Sequence, residues 1–293
     1  MTCFTDFAEI CQPDAPLAPL TWYKLGGPAR WLLTPRNETE LAAVLACCRR
    51  DEVPWCILGR GANILVRDEG FAGAAIRLVG PTWEAVQWND TAVCAAAGAD
   101  FHKLAKESVE RGLLGLENLA GIPGTVGGII RMNAGGKYGN VATYVRDVRL
   151  MDETGHVTVQ PAAEIGFAYR HTELGGRIVL GATFVLQPAD REAAIQRFQT
   201  IWKEKSATQE ALGARSAGCI FKNPPGDYAG RLLDAAGLKG ARIGGAQISP
   251  KHANFIVAHD GASAKNVIDL IEYAKERVRW THGVELELEV EIW

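Results

Sequence analysis

Three features of the sequence predict an α+β fold in about two domains. The chain has 293 residues, and a domain takes roughly 150. Stretches with helical spacing and capping residues alternate with short apolar runs, and the chain closes on a segment that alternates apolar and acidic residues. Hydrophobic residues make up 47% and charged residues 22%, the composition of a chain that buries a core and not of a disordered one. Lys plus Arg number 31 against 34 Asp plus Glu, a net charge of −3. That balance gives no electrostatic footprint for nucleic acid or for an anionic membrane surface. Thirty-two glycines are in excess, and glycine permits left-handed backbone and close approach to a ligand.

Residues 1–20, Pro-rich toward their end, read as a lead-in of helix and loop. They lack the basic start and apolar stretch of a signal peptide. No apolar run reaches the ~20 residues needed to cross a bilayer, so a cytoplasmic protein is expected. Residues 39–50 form an amphipathic helix capped by Asn37, with Glu40 placed to complete a capping box. Residues 54–66 read as strand, glycine-rich turn and strand; 74–78 and 92–97 are short apolar strands. Asp100 caps a helix over 100–111 that Gly112 stops. Residues 121–139 show no helical period and hold seven glycines. Strands follow at 145–150, 156–159 and 177–186, then a helix at 189–205. A second Gly/Pro-rich segment spans 215–226, a short helix 229–236, and a long helix 263–282 runs from Ser263 as N-cap to Gly283. Residues 284–293, VELELEVEIW, have the period of a strand with one buried face. The domain join is placed near the 189–205 helix, giving domains of 1–190 and 191–293.

The seven cysteines are odd in number and include no C-x-x-C pair. Neither a zinc site nor a disulfide framework is expected, and a reducing compartment is. No metal site is predicted.

Several segments carry chemistry. Gly59, Arg60, Gly61, Ala62 and Asn63 lie between two strands. They lack the third glycine and the following helix of a dinucleotide fingerprint, so the segment is either a hairpin turn or a loop that cradles phosphate. The loop from Gly121 to Gly139 is too long and structureless to be mere connection. Pro123 stiffens it, and Gly124, Gly127 and Gly128 let backbone approach a ligand. Two such loops can grip the two phosphates of a dinucleotide. In Ser216 to Pro224, Cys219 precedes Lys222 and Asn223. A cation beside a thiol lowers its pKa and makes it an acid or nucleophile; a small buried hydrophobe is the plainer reading. His171 or His252 has the chemistry to pair with it, and spacing selects neither. Arg170, after Tyr169, is a natural anion clamp or an ordinary surface residue, and the terminal glutamates suit a solvated face.

Taken in order, these segments resemble one family. Tyr23-Lys24-Leu25-Gly26-Gly27-Pro28-Ala29, Gly59 to Asn63, Gly121-Ile122-Pro123-Gly124-Thr125-Val126-Gly127-Gly128 and Met132-Asn133-Ala134-Gly135 are similar to its N-terminal and flavin-phosphate motifs. Tyr169-Arg170, Ser216 to Pro224, Arg242 to Gln247, Lys251-His252-Ala253-Asn254 and Leu286 to Val290 are similar to its later ones. The family is that of the UDP-N-acetylenolpyruvoylglucosamine reductases, and the resemblance spans about residues 20–293.

The resemblance implies an FAD-binding domain of the vanillyl-alcohol-oxidase type followed by a smaller α+β substrate domain. It implies hydride transfer from NADPH to FAD and then to the enolpyruvyl ether of UDP-N-acetylglucosamine, giving UDP-N-acetylmuramate for peptidoglycan. By the same resemblance Arg170 and Glu289 stabilise the enolate and Cys219 supplies the proton, where other members carry serine. Gly59, Arg60, Gly61, Ala62, Asn63, Gly121, Ile122, Pro123, Gly124, Thr125, Gly127, Gly128 and Asn133 match the cofactor contacts. Tyr169, Lys222, Asn223, Gln247 and His252 match substrate contacts. The short stretch after Tyr169 resembles the short-loop subclass, and Glu291 departs from the basic residue usual two positions past the glutamate. A monomer is expected. The competing readings are another FAD-dependent oxidoreductase of this fold acting on a different small substrate, and a non-enzymatic nucleotide-binding protein.

Overall fold

The computed structural model describes residues 3–210 and 214–293. The chain forms two compact units, neither continuous in sequence. The first takes Met1–Pro13, Trp31–Gly59 and Gly73–Lys205; the second takes Asp14–Arg30, Arg60–Ala72 and Ser206–Trp293.

In the first unit, α1 (Glu38–Arg50) turns Leu41, Val44, Leu45 and Cys48 inward, a helical spacing that buries one stripe. Asn37 caps it by accepting from the Glu40 N–H. The expected capping box is corrected in one respect: the Glu40 carboxylate accepts from the Arg36 N–H at 2.7 Å, one residue further out than Asn37. Strand β1 (Trp55–Ile57) pairs in parallel with β2 (Phe71–Ile76), Trp55 opposite Ala74. A five-stranded antiparallel sheet is built from β3 (Val86–Asn89), β4 (Ala92–Ala96), β5 (Val145–Met151), β6 (Val157–Pro161) and β9 (Ile178–Val185), in the order β6-β5-β9-β4-β3. The centre strand β9 is buried over all but its last residue, which is why it reads as a continuous apolar run. Helix α2 (Phe101–Glu110) is capped by Asp100, which accepts from Lys103 N–H at 3.1 Å. It buries Phe101, Leu104 and Val109, each such side chain contributing about 1.5–3 kcal/mol.

Residues 121–139, expected to lack helix, contain α3 (Val126–Arg131). Two glycines among six residues depress its propensity; tertiary contact supplies what propensity does not, because Val126, Ile129 and Ile130 are buried. Between α3 and β9 lies a hairpin of β7 (Gly166–Ala168) and β8 (His171–Glu173), Ala168 opposite His171. Helix α4 (Arg191–Thr208) extends three residues past the expected end. Cysteine bookkeeping is corrected at one position. Cys47 is disulfide-bonded, where no disulfide framework was expected. Cys11, Cys48, Cys56, Cys94 and Cys219 are not disulfide-bonded.

The second unit has its own core. A small antiparallel sheet runs β10 (Arg242–Ile243), β11 (Ala246–Ile248), β12 (Ile256–Ala258). Helix α5 (Ala229–Ala235) and helix α6 (Ala264–His282) bury Leu232, Leu233, Val267, Leu270, Ile271, Ala274 and Val278 in that core. Ser263 and Asn266 form a reciprocal capping box, and Gly283 ends α6 at φ +68°. The segment before Pro28 lies against residues 60–70. A Cβ on Gly27 would stand 2.4 Å from the Asp68 carbonyl oxygen and 2.6 Å from the Gly70 nitrogen, so the Gly26-Gly27 motif is required by backbone packing.

The C-terminal decapeptide is corrected from a single strand to an extended segment that changes partners. Lys222 N–H donates to Glu287 O at 2.9 Å and Glu289 N–H to Ile220 O at 2.8 Å; then Glu291 N–H donates to Asn63 O at 3.0 Å and Trp293 N–H to Leu65 O at 2.9 Å. Only Glu291–Ile292 forms a strand, parallel to Ile64–Leu65. Because the segment leaves one neighbour for another midway, no single ladder grows along its length. Among the described residues no helix is long and apolar enough to cross a membrane, and no group of three or more His, Cys, Asp or Glu is placed to hold a metal ion.

Candidate active site

The predicted site residues divide between the units. Gly59, Gly121 to Gly128, Asn133, Tyr169 and Arg170 belong to the first, and Arg60 to Asn63, Cys219, Lys222, Asn223, Gln247, His252 and Glu289 to the second.

In the first unit the glycine loop is held at both ends. Upstream, one face of α4 grips residues 117–120. The Arg197 guanidinium pairs with buried Glu117 at 3.2 Å and donates to Asn118 Oδ1 at 2.8 Å. Lys205 Nζ, two helical turns on, donates to Ala120 O at 2.6 Å. Downstream, Thr125 caps α3, its hydroxyl accepting from Gly128 N–H at 3.3 Å. Val126 N–H donates to Ala99 O at 3.0 Å and Gly127 N–H to Ala97 O at 2.8 Å. The first donors of α3 are thus engaged by protein. The glycines differ in the space around them. A Cβ on Gly127 would press Ala97 at 3.1 Å, and one on Gly59 would meet the Thr125 hydroxyl at 2.8 Å. A Cβ on Gly128 would meet only Thr125 Oγ1, at 3.5 Å. Gly59 and Thr125 therefore abut, and Gly128 leaves an open face.

Lys205 is mostly desolvated. Burial first, then the nearby Arg170 charge, pushes its ammonium down to about 8. Lys137 and Glu204 lie close by, Lys137 pairing with Glu204 at 3.3 Å. A depressed amine pKa means the unfolded chain binds more protons between about 8 and the ordinary lysine value, so stability rises with pH across that window. Urea unfolding near pH 7.5 and pH 9.5 is expected to show wild type gaining stability relative to Lys205→Met as pH rises. Parallel curves for the two proteins would contradict this.

Tyr169 and Arg170 are the two turn residues of the β7–β8 hairpin. Arg170 has φ +54°, in the left-handed region where a glycine or asparagine is usual and an ordinary side chain costs about 1–2 kcal/mol. Its guanidinium lies 5.0 Å from the Tyr169 ring centroid, and Tyr169 is half exposed. Asn133, predicted as a cofactor contact, is buried; its amide donates to Ala168 O at 2.8 Å and its carbonyl accepts from Ala142 N–H at 3.3 Å.

In the second unit, residues 219–222 run between two partners. On one side Ile220 N–H donates to Asn254 O at 2.9 Å, and Cys219 bridges Phe255. Asn254 acts as a surrogate strand. Its Oδ1 accepts from Phe221 N–H at 3.0 Å and its Nδ2 donates to Phe221 O at 2.8 Å. On the other side Glu289 N–H reaches Ile220 O, and Asn63 Nδ2 donates to Glu289 O at 2.9 Å. Cys219 and Glu289 thus stand on adjoining backbone segments, with Asn63 of the first glycine cluster fastening the glutamate's peptide. Gly218, φ +77°, has nothing within 4 Å of its would-be Cβ, which leaves room beside the thiol. Cys219 is half-buried and not disulfide-bonded. In the first unit, burial pushes the Cys48 thiol up to about 11.

The remaining predicted contacts are tied into local structure. Lys222 pairs with Glu287 at 3.4 Å. Asn223 Oδ1 accepts from Ala229 N–H at 3.0 Å, capping α5. Gln247 joins Arg242 at 2.8 Å and His259 at 2.9 Å. His252 Nδ1 accepts from Asn254 N–H at 3.2 Å, and burial lowers its pKa. Thr172, Lys205 and Asn254 were not singled out by sequence reasoning. Each works through a backbone contact many residues away, although Asn254 closes the Lys251-His252-Ala253-Asn254 motif.

Residues 29–160 match the FAD binding domain family, and residues 209–293 match the family described as UDP-N-acetylenolpyruvoylglucosamine reductase, C-terminal domain. The chain is 42% identical over 293 residues to the UDP-N-acetylenolpyruvoylglucosamine reductase of Magnetococcus marinus, covering 98% of this chain and 94% of that one. It belongs to the UDP-N-acetylenolpyruvoylglucosamine reductase family. Reductase 2 of Symbiobacterium thermophilum is 41% identical over 280 residues, 95% of this chain and 90% of the relative. The crystal structure of the Thermus caldophilus reductase superposes with a TM-score of 0.82 at 38% identity, covering 95% of this chain and 97% of the other. Within this family the predicted FAD-binding and C-terminal domains are the expected pair, and the chain is an oxidoreductase.

Proposed function

We propose that this protein reduces UDP-N-acetylenolpyruvoylglucosamine to UDP-N-acetylmuramate with NADPH as reductant. Likeness over nearly the whole chain to proteins named for that reductase carries the reading. The open face at Gly128 fits the cofactor, with Gly59, Gly121 to Gly128 and Arg60 to Asn63 as its holders. FAD held there would supply the redox chemistry that links NADPH to the vinyl carbon of the substrate.

The side chains manage the charge and the proton. Addition at the vinyl carbon leaves an enolate next to the substrate carboxylate. Arg170 opposes that negative charge where it develops. Cys219 Sγ–H gives its proton to the adjacent carbon, closing the new C–H bond. Glu289 in its acid form hydrogen-bonds the enolate. Tyr169 packs beside the sugar nucleotide, with Lys222, Asn223, Gln247 and His252 along its path.

The deciding assay is NADPH consumption by the purified, FAD-loaded protein with and without the enolpyruvyl nucleotide. Consumption that depends on the nucleotide, with UDP-N-acetylmuramate as product, is expected. A colourless protein unable to take up FAD, or NADPH oxidation indifferent to the nucleotide, would overturn the proposal.

Glu289→Gln is expected to slow turnover about 10²-fold or more, in the range for loss of one acid–base group. Glu287→Gln should stay within about threefold of wild type, since Glu287 is exposed and its pair with Lys222 is a surface one. Equal effects in steady-state kinetics would shift the register of the C-terminal segment.

A further inference from the structure

The hairpin that presents Arg170 is fastened to α3 at two buried points. Thr172 Oγ1 donates to Ile130 O at 2.6 Å, and Asn133 Nδ2 donates to Ala168 O at 2.8 Å. Both side chains are 4% exposed. One bond lies on each side of the turn, since Ala168 precedes Tyr169-Arg170 and Thr172 follows His171. Ile130 stands in the last turn of α3, where its carbonyl also accepts from Asn133 N–H at 3.0 Å, and Asn133 follows two residues past the helix end. The N-terminal end of the same helix carries Thr125 and the open glycine face. Asn133 and Arg170 both hold left-handed backbone, at φ +39° and +54°, conformations that persist only where surroundings over-determine them.

We infer that Thr172 and Asn133 are positioning residues for Arg170, coupling the guanidinium at the hairpin tip to the glycine cradle through α3. This rests on the reading of Arg170 as the cation that meets the developing enolate. A short helix is stiff, so the cradle and the turn share one frame. Without the Thr172 hydroxyl the turn keeps its sequence and loses its fixed distance from the cradle. Thr172 itself need touch neither cofactor nor substrate.

The test uses FAD-loaded Thr172→Val and Thr172→Ser, with the two half-reactions followed separately by flavin absorbance in a stopped-flow instrument. Thr172→Val keeps shape and removes the hydroxyl. It is expected to slow reoxidation by the enolpyruvyl nucleotide on the order of ten- to a hundredfold, the effect of small misplacement of a charge-stabilising group. Flavin content and bleaching by NADPH should stay within about twofold, and Thr172→Ser should restore reoxidation. In an Arg170→Ala background, Thr172→Val should add nothing, because the two act as one unit. The inference is overturned if Thr172→Val has no effect on reoxidation, slows both half-reactions alike, loses flavin, or still adds its full effect without Arg170. Should Thr172→Val fail to fold, Thr172→Ala, which also removes the hydroxyl, carries the same comparison. If Arg170→Ala itself leaves reoxidation unchanged, the role given to Arg170 fails first; if it slows reoxidation while the clamp variants do not, only the clamp fails.

Discussion

Cys219→Ala is expected to leave bleaching of the flavin by NADPH intact and to slow reoxidation by the enolpyruvyl nucleotide on the order of 10²–10⁴-fold, the range for one positioned acid–base group. Only the second half-reaction consumes a proton, so only it should feel the loss. Cys219 is half-buried and not disulfide-bonded, and its segment is held by backbone bonds, Ile220 N–H donating to Asn254 O and Glu289 N–H to Ile220 O. Cys219→Ser should retain much of the activity, since a hydroxyl fills the same place and also carries a proton. Thiols are the stronger acids, titrating near ~8.5 when free, so the serine variant should be somewhat slower. Stopped-flow absorbance separates the two steps. Normal reoxidation by Cys219→Ala would remove the thiol from the mechanism.

What the sequence disclosed was local. Asn37, Asp100 and Ser263 cap their helices, and Gly112 and Gly283 stop theirs, because a cap is a contact within one turn and its residue types are few. Helix α3 stayed hidden, since Gly127-Gly128 argues against helix and the support comes from buried Val126, Ile129 and Ile130. The C-terminal decapeptide displayed the right period. The period does not say that its partner changes from Ile220 to Asn63 and Leu65. Chemistry was less legible still. Arg170, Cys219 and Glu289 each have a bland local reading, and only the ordered resemblance to a family gave them roles. Thr172 gave no signal, and Asn133 was read as a cofactor contact and not as a clamp, because what they hold lies 42 and 35 positions away.

Gly128→Ala is expected to yield a folded, thermally unimpaired protein that has largely lost its flavin. The added methyl meets nothing of the protein closer than Thr125 Oγ1 at 3.5 Å. Alanine is also the better helix former by roughly 0.5–1 kcal/mol, so the apoprotein's Tm should hold or rise. A ligand lying on that open face would meet the methyl directly. Overpacking of that kind costs about 1–3 kcal/mol, which is about five- to 150-fold in FAD affinity. Gly127→Ala is the contrasting case, since its methyl would press the Ala97 side chain at 3.1 Å and the Ala97 carbonyl oxygen at 3.3 Å. That variant should lose stability first, and flavin only as a consequence. Thermal melts of apoprotein together with FAD titration distinguish the two. Full flavin affinity in Gly128→Ala would mean the open face is not where the cofactor lies, and the glycine excess at this loop would then need another cause.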